Sequence, residues 1–194
     1  MGLLTREQMT ELGFAHVGED VRLSDRASYY GCERISIGDH SRIDDFCVLS
    51  AGEGGIAIGQ YVHVAVHSSL IGHAPIELSD FSGISTHCAV YSSNDDYSGA
   101  AMTNPTVPPQ FTNVHHAAVH FGRHTILGTG SVVLPGITLH EGAAVGALSI
   151  VVRDCESFGI YAGRPARRIK TRERGLLDHE SHLMARAGRH NISN

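Results

Sequence analysis

A chain of 194 residues with 42% hydrophobic residues can bury one sizeable core, and 22 glycines, no tryptophan and 6% aromatic residues suit a fold of short strands and tight turns. A net charge of −5 with no aromatic residues set among the arginines excludes a nucleic-acid binder. No apolar run approaches the ~20 residues of a membrane span, and the start lacks a basic-then-apolar leader, so the expected location is the cytoplasm.

In chain order, residues 5–12 (TREQMTEL) predict a short helix capped by Thr5, closing one end of a repeat domain. The sequence then repeats in sixes. Residues 37–43 (IGDHSRI), 121–133 and 139–151 place Phe or an aliphatic residue at every sixth position. A hexad is too short for a helical unit; one short strand and one turn per six residues, with three such units closing a rung of a coil, accounts for it. A second pattern, aliphatic-any-apolar followed by a small residue, starts at 15, 35, 56, 76, 119 and 137, with spacings of 20, 21, 20, 43 and 18. One gap is a rung too long. At a ~20-residue period, about 23 residues are inserted before position 119, and a long loop in a compact repeat is where chemistry is expected.

Cys47, Cys88 and Cys155 fall at the small-residue position of their hexads, beside Ser41, Ser68, Ser131, Ala143 and Ser149. They are expected to be buried packing residues, and no Cys spacing indicates a disulfide frame or a structural metal site. Within the insertion, Pro105, Pro108 and Pro109 predict an ordered loop outside the sheets. Beyond the coil the charge reverses: residues 1–160 hold 7 Lys/Arg against 17 Asp/Glu, a balance of −10, whereas 161–194 hold 8 against 3, a balance of +5. Such a basic collar suits a polyanionic small molecule. Leu176, Leu177, Leu183 and Met184 predict a helix near the end, followed by a disordered tail from Gly188.

The hexads, the insertion and the closing stretch 159–170 (GIYAGRPARRIK) resemble the hexapeptide-repeat acyltransferases, in particular the branch of galactoside and maltose acetyltransferases and sugar O- and N-acetyltransferases. The similarity covers residues 12–170, and 162–166 (AGRPA) is its most specific part. The resemblance implies an all-β fold, a left-handed parallel β-helix with one long loop and short terminal helices. The expected organisation is a helical cap over 1–14, the β-helix over 15–158 with the insertion at 94–118, and a basic segment with a helix over 159–194. The implied activity is acetyl transfer from acetyl-CoA to a hydroxyl or amine of a sugar or sugar nucleotide, in surface-polysaccharide biosynthesis. The implied assembly is a homotrimer with coenzyme A in the groove between coils, no resident metal and no membrane partner.

Carried over by position, Gly128 and Thr129 match the turn that meets the thiol arm, and Ala147 matches the turn at the pantetheine amide. Val152 lies further along, and Arg167 and Lys170 match the basic pair near the nucleotide phosphates. The family's catalytic His falls here on Asp95. His115 and His116 stand at the far end of the insertion, so the expected base is His116 oriented by Asp95, with Asn94, Asp96, Tyr97 and His115 around the acceptor. Two other readings stay open at this point. A zinc enzyme like γ-class carbonic anhydrase needs three convergent imidazoles, drawn from His87, His115, His116 and His120. A non-catalytic coil would serve in assembly, since fold does not fix function.

Overall fold

The computed structural model describes residues 2–190, the side chains of 187–190 excepted. Helix α1 (Arg6–Glu11) opens it, with Thr5 as N-cap in a reciprocal capping box with Gln8. The chain then winds as a parallel β-solenoid of three sheets. The first runs from His16–Val17 to Thr138–Leu139, the second from Arg22–Leu23 to Gly159–Gly163, and the third from Ser28–Tyr30 to Ile150–Val151, each strand paired with its counterpart one rung away. Registers connect Ile37 to Ile58, Ile58 to Leu78, Leu78 to Phe121 and Phe121 to Leu139. The long gap of the sequence is thus an excursion between stacked neighbours. Every sixth residue points inward: Phe121, Leu127, Val133, Leu139, Val145 and Val151 are all at most 3% exposed.

Serines, Thr125 and cysteines fill the inward corner positions. Ser41 Oγ donates to Gly59 O (2.8 Å) and accepts from Val62 N–H (2.9 Å), so a buried hydroxyl links successive rungs. Cys47 and Cys88 sit at equivalent corners between the second and third sheets, whereas Cys155, expected at such a corner, instead stacks in the first sheet opposite Leu139 because the hexad period breaks after Val151; all three are free and buried. Burial raises the Cys88 thiol and pushes Cys47 up to about 11 and Cys155 up to about 12. The native protein at pH 8 is therefore expected to resist alkylation at these three, with all of them reacting once denaturant unfolds the coil. The raised folded values also mean that their contribution to stability is complete below the ordinary thiol pKa of ~8.5 and is lost as pH rises toward the folded values. A falling denaturation midpoint between pH 8 and 10 checks that sign.

The corners carry a regularity that the hexads alone do not announce. His40, Tyr61, Phe81 and His124 adopt positive φ between the first and second sheets and stack at 4.6, 5.1 and 5.0 Å. Phe46, His67 and His87 do the same between the second and third sheets, at 5.0 and 4.8 Å. Positive φ is costly for such residues; rung-to-rung ring stacking offsets it. Several of the 14 histidines are thereby explained as ladder members, His87 among them.

Helix α2 (Gly175–His190) lies against the first of these corners. Glu180 accepts from Arg123 and pairs with His124 Nε2 at 2.6 Å, and Arg172 donates to the carbonyls of His124 (2.7 Å) and Gly142 (3.0 Å). The helix reaches His190, so residues 188–190 are not the irregular tail the sequence predicts; 191–194 lie outside the described residues.

Candidate active site

The insertion leaves the third sheet after Ala89–Tyr91 and returns at Val119–Phe121. Its two ends zip together as an antiparallel pair, Ser93–Asn94 against His115–His116, with Ser93 opposite His116 and Asn94 opposite His115. Alternation along such a ladder sorts the side chains. Ser93, Asp95, Val114 and His116 share one face, and Asn94 and His115 the other. On the first face a cavity of about 540 Å³ is lined by Asp95, Val114 and His116 and by Asn104, Pro105, Val107, Pro109, Thr112 and Asn113.

The ladder therefore brings Asp95 and His116 into one cavity, though no hydrogen bond joins them among the described residues. The partner of His116 Nδ1 is Ser93 Oγ (2.8 Å), which also accepts from His73 N–H (2.8 Å). The imidazole stacks on His73 at 4.7 Å. Which of Ser93 Oγ and His116 Nδ1 donates depends on the imidazole tautomer; in the tautomer protonated at Nδ1, Nε2 is the acceptor. Orientation of the ring thus comes from Ser93 and His73, and the Asp95 carboxylate stays available to a ligand. Of the other loop candidates, Asp96 is committed to the loop: its Oδ1 accepts from Ser98 N–H at 2.7 Å, and hydrogen bonds from Ser98 hold its carboxyl below the usual range. Tyr97 is exposed, and Asn94 and His115 face away from the cavity side.

A second group of candidates lies along the second sheet and its corner toward the third. A shallower cavity of about 360 Å³ is lined by His63, Ala65, Gly83, Ile84, Ser85, Thr86, Ile126 and Thr129. Thr86 Oγ1 donates to Thr129 Oγ1 at 3.4 Å across its rim. Ala147 and Val152 are exposed further along. Gly128 has a reason inside the chain: a Cβ there would stand 2.6 Å from Ala147 N and 2.7 Å from Val145 O, so rung stacking itself requires glycine.

Of the basic collar, part is structural. Arg164 donates to Leu148 O (2.7 Å), Arg172 to two carbonyls, and Arg174 packs over the Phe158 ring at 4.4 Å. Arg167 and Lys170 are different. They lie on strand Ala166–Thr171, antiparallel to Gly159–Gly163, where Arg167 pairs with Ala162 and Lys170 with Ile160. An irregularity in that register, in which Ile169 goes unpaired, places both cations on the outward face of the second sheet. Three residues apart in an unbroken strand, they would point to opposite sides.

Among the described residues, no group of three or more His, Cys, Asp or Glu side chains is placed to hold a metal. The imidazoles that a zinc reading requires are dispersed: His87 stacks on His67, His116 on His73, and His120 pairs with Glu77. No helix is long and apolar enough to cross a membrane.

A hexad-built parallel solenoid, broken once by a loop with a carboxylate and an imidazole in its cavity, has the architecture of the hexapeptide-repeat acyltransferases. No protein-family model matches the chain. It is 54% identical over 181 residues, 93% of this chain and 94% of the relative, to dTDP-4-amino-4,6-dideoxy-D-glucose acyltransferase of Escherichia coli, and it belongs to that family. Among solved structures it resembles AntD, an N-acyltransferase from Bacillus cereus in complex with dTDP and 3-hydroxybutyryl-CoA, with a TM-score of 0.92 and 38% identity over 96% of this chain and 98% of that one. Another AntD structure holds dTDP-4-amino-4,6-dideoxyglucose and coenzyme A. A maltose O-acetyltransferase from Clostridium difficile shares the fold at a TM-score of 0.60 and 18% identity, over 87% of this chain and 75% of that one.

Proposed function

We propose that this enzyme transfers an acyl group, acetyl in the first instance, from acyl-CoA to the amine of a dTDP-4-amino-4,6-dideoxy sugar. The amine attacks the thioester carbonyl, a C–N bond forms, the C–S bond breaks, and coenzyme A leaves as the thiolate. Asp95 attracts the acceptor's ammonium, and His116 Nε2 takes the proton that must leave before nitrogen can attack. Arg167 and Lys170 meet the phosphates of coenzyme A, and the corner at Gly128, Thr129, Ala147 and Val152 carries its pantetheine arm.

The observation that carries this reading is a spacing. AntD has been solved as variants of one aspartate and of a serine ten residues before it. In this chain Ser85 and Asp95 are the single Ser–Asp pair so spaced. Ser85 lines the corner cavity and Asp95 the loop cavity, at opposite ends of strand Ala89–Tyr91. One rung holds both groups but points them to different edges of the coil. A site that uses both is completed by a neighbouring copy, which supports the homotrimer. Acyl-CoA and a sugar nucleotide as substrates would suit a cytoplasmic location, and the acylated sugar nucleotide suits assembly of a surface polysaccharide.

The test is thiol release and product mass with acetyl-CoA or 3-hydroxybutyryl-CoA and the dTDP-amino sugar; no product with either donor would overturn the reading. Replacing Arg167 and Lys170 by Ala is expected to weaken acetyl-CoA more than dephospho-CoA, since a charge-assisted contact to phosphate contributes about 1.5–3 kcal/mol. Equal weakening of both would reject a role at the 3′-phosphate.

A further inference from the structure

Two serines stand where the insertion leaves the coil, and both are tied to the same stretch of the neighbouring rung. Ser92 is fully buried, and its Oγ donates to Ala74 O at 2.6 Å. Ser93 is half-buried, and its Oγ accepts from His73 N–H at 2.8 Å. The backbone closes the junction: Ser92 N–H donates to Ile71 O (3.1 Å), and Ser92 O accepts from Ala117 N–H (3.1 Å), one residue past His116. A Cβ on Gly72 would collide with Ser92 Oγ, so the neighbouring rung keeps a glycine at this point. Entry and exit of the insertion are thus both fixed to the coil at these serines.

His116, by contrast, is exposed on its two-residue strand, and an exposed ring left to itself exchanges rotamers freely. Here its Nδ1 edge lies 2.8 Å from Ser93 Oγ, and its face lies on His73, whose own Nε2 is 3.4 Å from Glu53 Oε2. His116 lines the loop cavity whereas Ser93 and His73 do not. The anchored edge therefore lies outside the cavity, and the rest of the ring faces in. A serine hydroxyl carries one O–H and two lone pairs. His73 N–H occupies one lone pair, and the O–H and the other lone pair remain for Nδ1. With Nδ1 bare the hydroxyl donates; with Nδ1 protonated, as it also is in the imidazolium, the hydroxyl accepts.

We propose that Ser93 is a positioning residue for acyl transfer, a reversible hydroxyl that holds His116 in every protonation state the ring passes through. This rests on His116 as the proton acceptor proposed above. As Nε2 takes up the proton, the bond from Nδ1–H to Ser93 gains charge assistance. A contact that strengthens while the C–N bond forms acts on kcat and not on KM.

The test compares S93A and S93T with wild type, and S93A/H116A with H116A. S93A is expected to lower kcat about ten- to hundred-fold with KM for both substrates changed by less than about two-fold, and S93T, which keeps the hydroxyl, to recover most of the rate. S93A/H116A should be no slower than H116A, because a residue that acts through another has nothing left to act on. Additive losses overturn the proposal, as does near-normal kcat in S93A while H116A is slow, and either result leaves the proposed function standing. H116A at the wild-type rate overturns the proton-acceptor reading and this proposal with it. Ring-nitrogen magnetic resonance reads the contact without turnover. The His116 signals, assigned by their loss in H116Q, are expected to move in S93A and to hold in S93T; signals unmoved in S93A overturn the proposal.

Discussion

Asp95→Asn and His116→Ala are each expected to lower kcat by about 10²–10⁴-fold, the usual range for loss of a group that moves a proton in the transition state. The reasons differ. An aliphatic amine arrives largely as ammonium, which a carboxylate attracts and an amide does not, so Asp95→Asn should also raise the acceptor KM. His116→Ala removes a proton acceptor whose ring Ser93 and His73 hold in place, and added imidazole should restore part of its rate. Coenzyme A binding, measured by calorimetry, should be unchanged in both, because neither residue lies on the corner assigned to the cofactor. Near-normal turnover of Asp95→Asn would remove the carboxylate from the mechanism. Normal turnover of His116→Ala, with Asp95→Asn inactive, would make the carboxylate the proton acceptor.

Mixing two inactive variants is expected to restore activity. Gly83→Leu fills the groove floor on the corner side, where a Cβ meets nothing within 4 Å, and Asp95→Asn disables the loop side. If each site joins the corner of one subunit to the loop of the next, neither variant alone has an intact site. Randomly mixed trimers would have one in about a quarter of their sites, since each half is wild type in half of the subunits. Co-refolding the two at equal amounts and measuring thiol release checks this. Recovery to a quarter of the wild-type rate identifies a shared site. No recovery, with trimers shown by light scattering, would place the whole site within one protomer.

Much of the fold was legible because its period is short. A residue that recurs every six positions, as Leu127, Val133 and Leu139 do, repeats one local conformation, and stacking comes from burying the same face each time. The loop was legible for the same reason, as the single interval that breaks the period. The Thr5 cap was readable because a helix N-terminus is satisfied by its own neighbours.

What the sequence determined by itself is therefore the coil, its one interruption and, through the resemblance carried by residues 159–170, the class of chemistry. Only the tertiary structure decided which side chains meet. Asp95 and His116 share a cavity because the Ser93–Asn94 and His115–His116 strands zip in one register; a slip of one residue would have turned His115 inward instead. Arg167 and Lys170 share a face because Ile169 drops out of the pairing. His63 and Arg42 converge on Asp44 from different rungs, 19 residues apart in one case and two in the other. Periodicity specifies which residues are inside, since burial depends on each residue's own place in the repeat. Contacts between rungs and across the loop depend on register and on local irregularity, which the chain settles only when its distant parts pack.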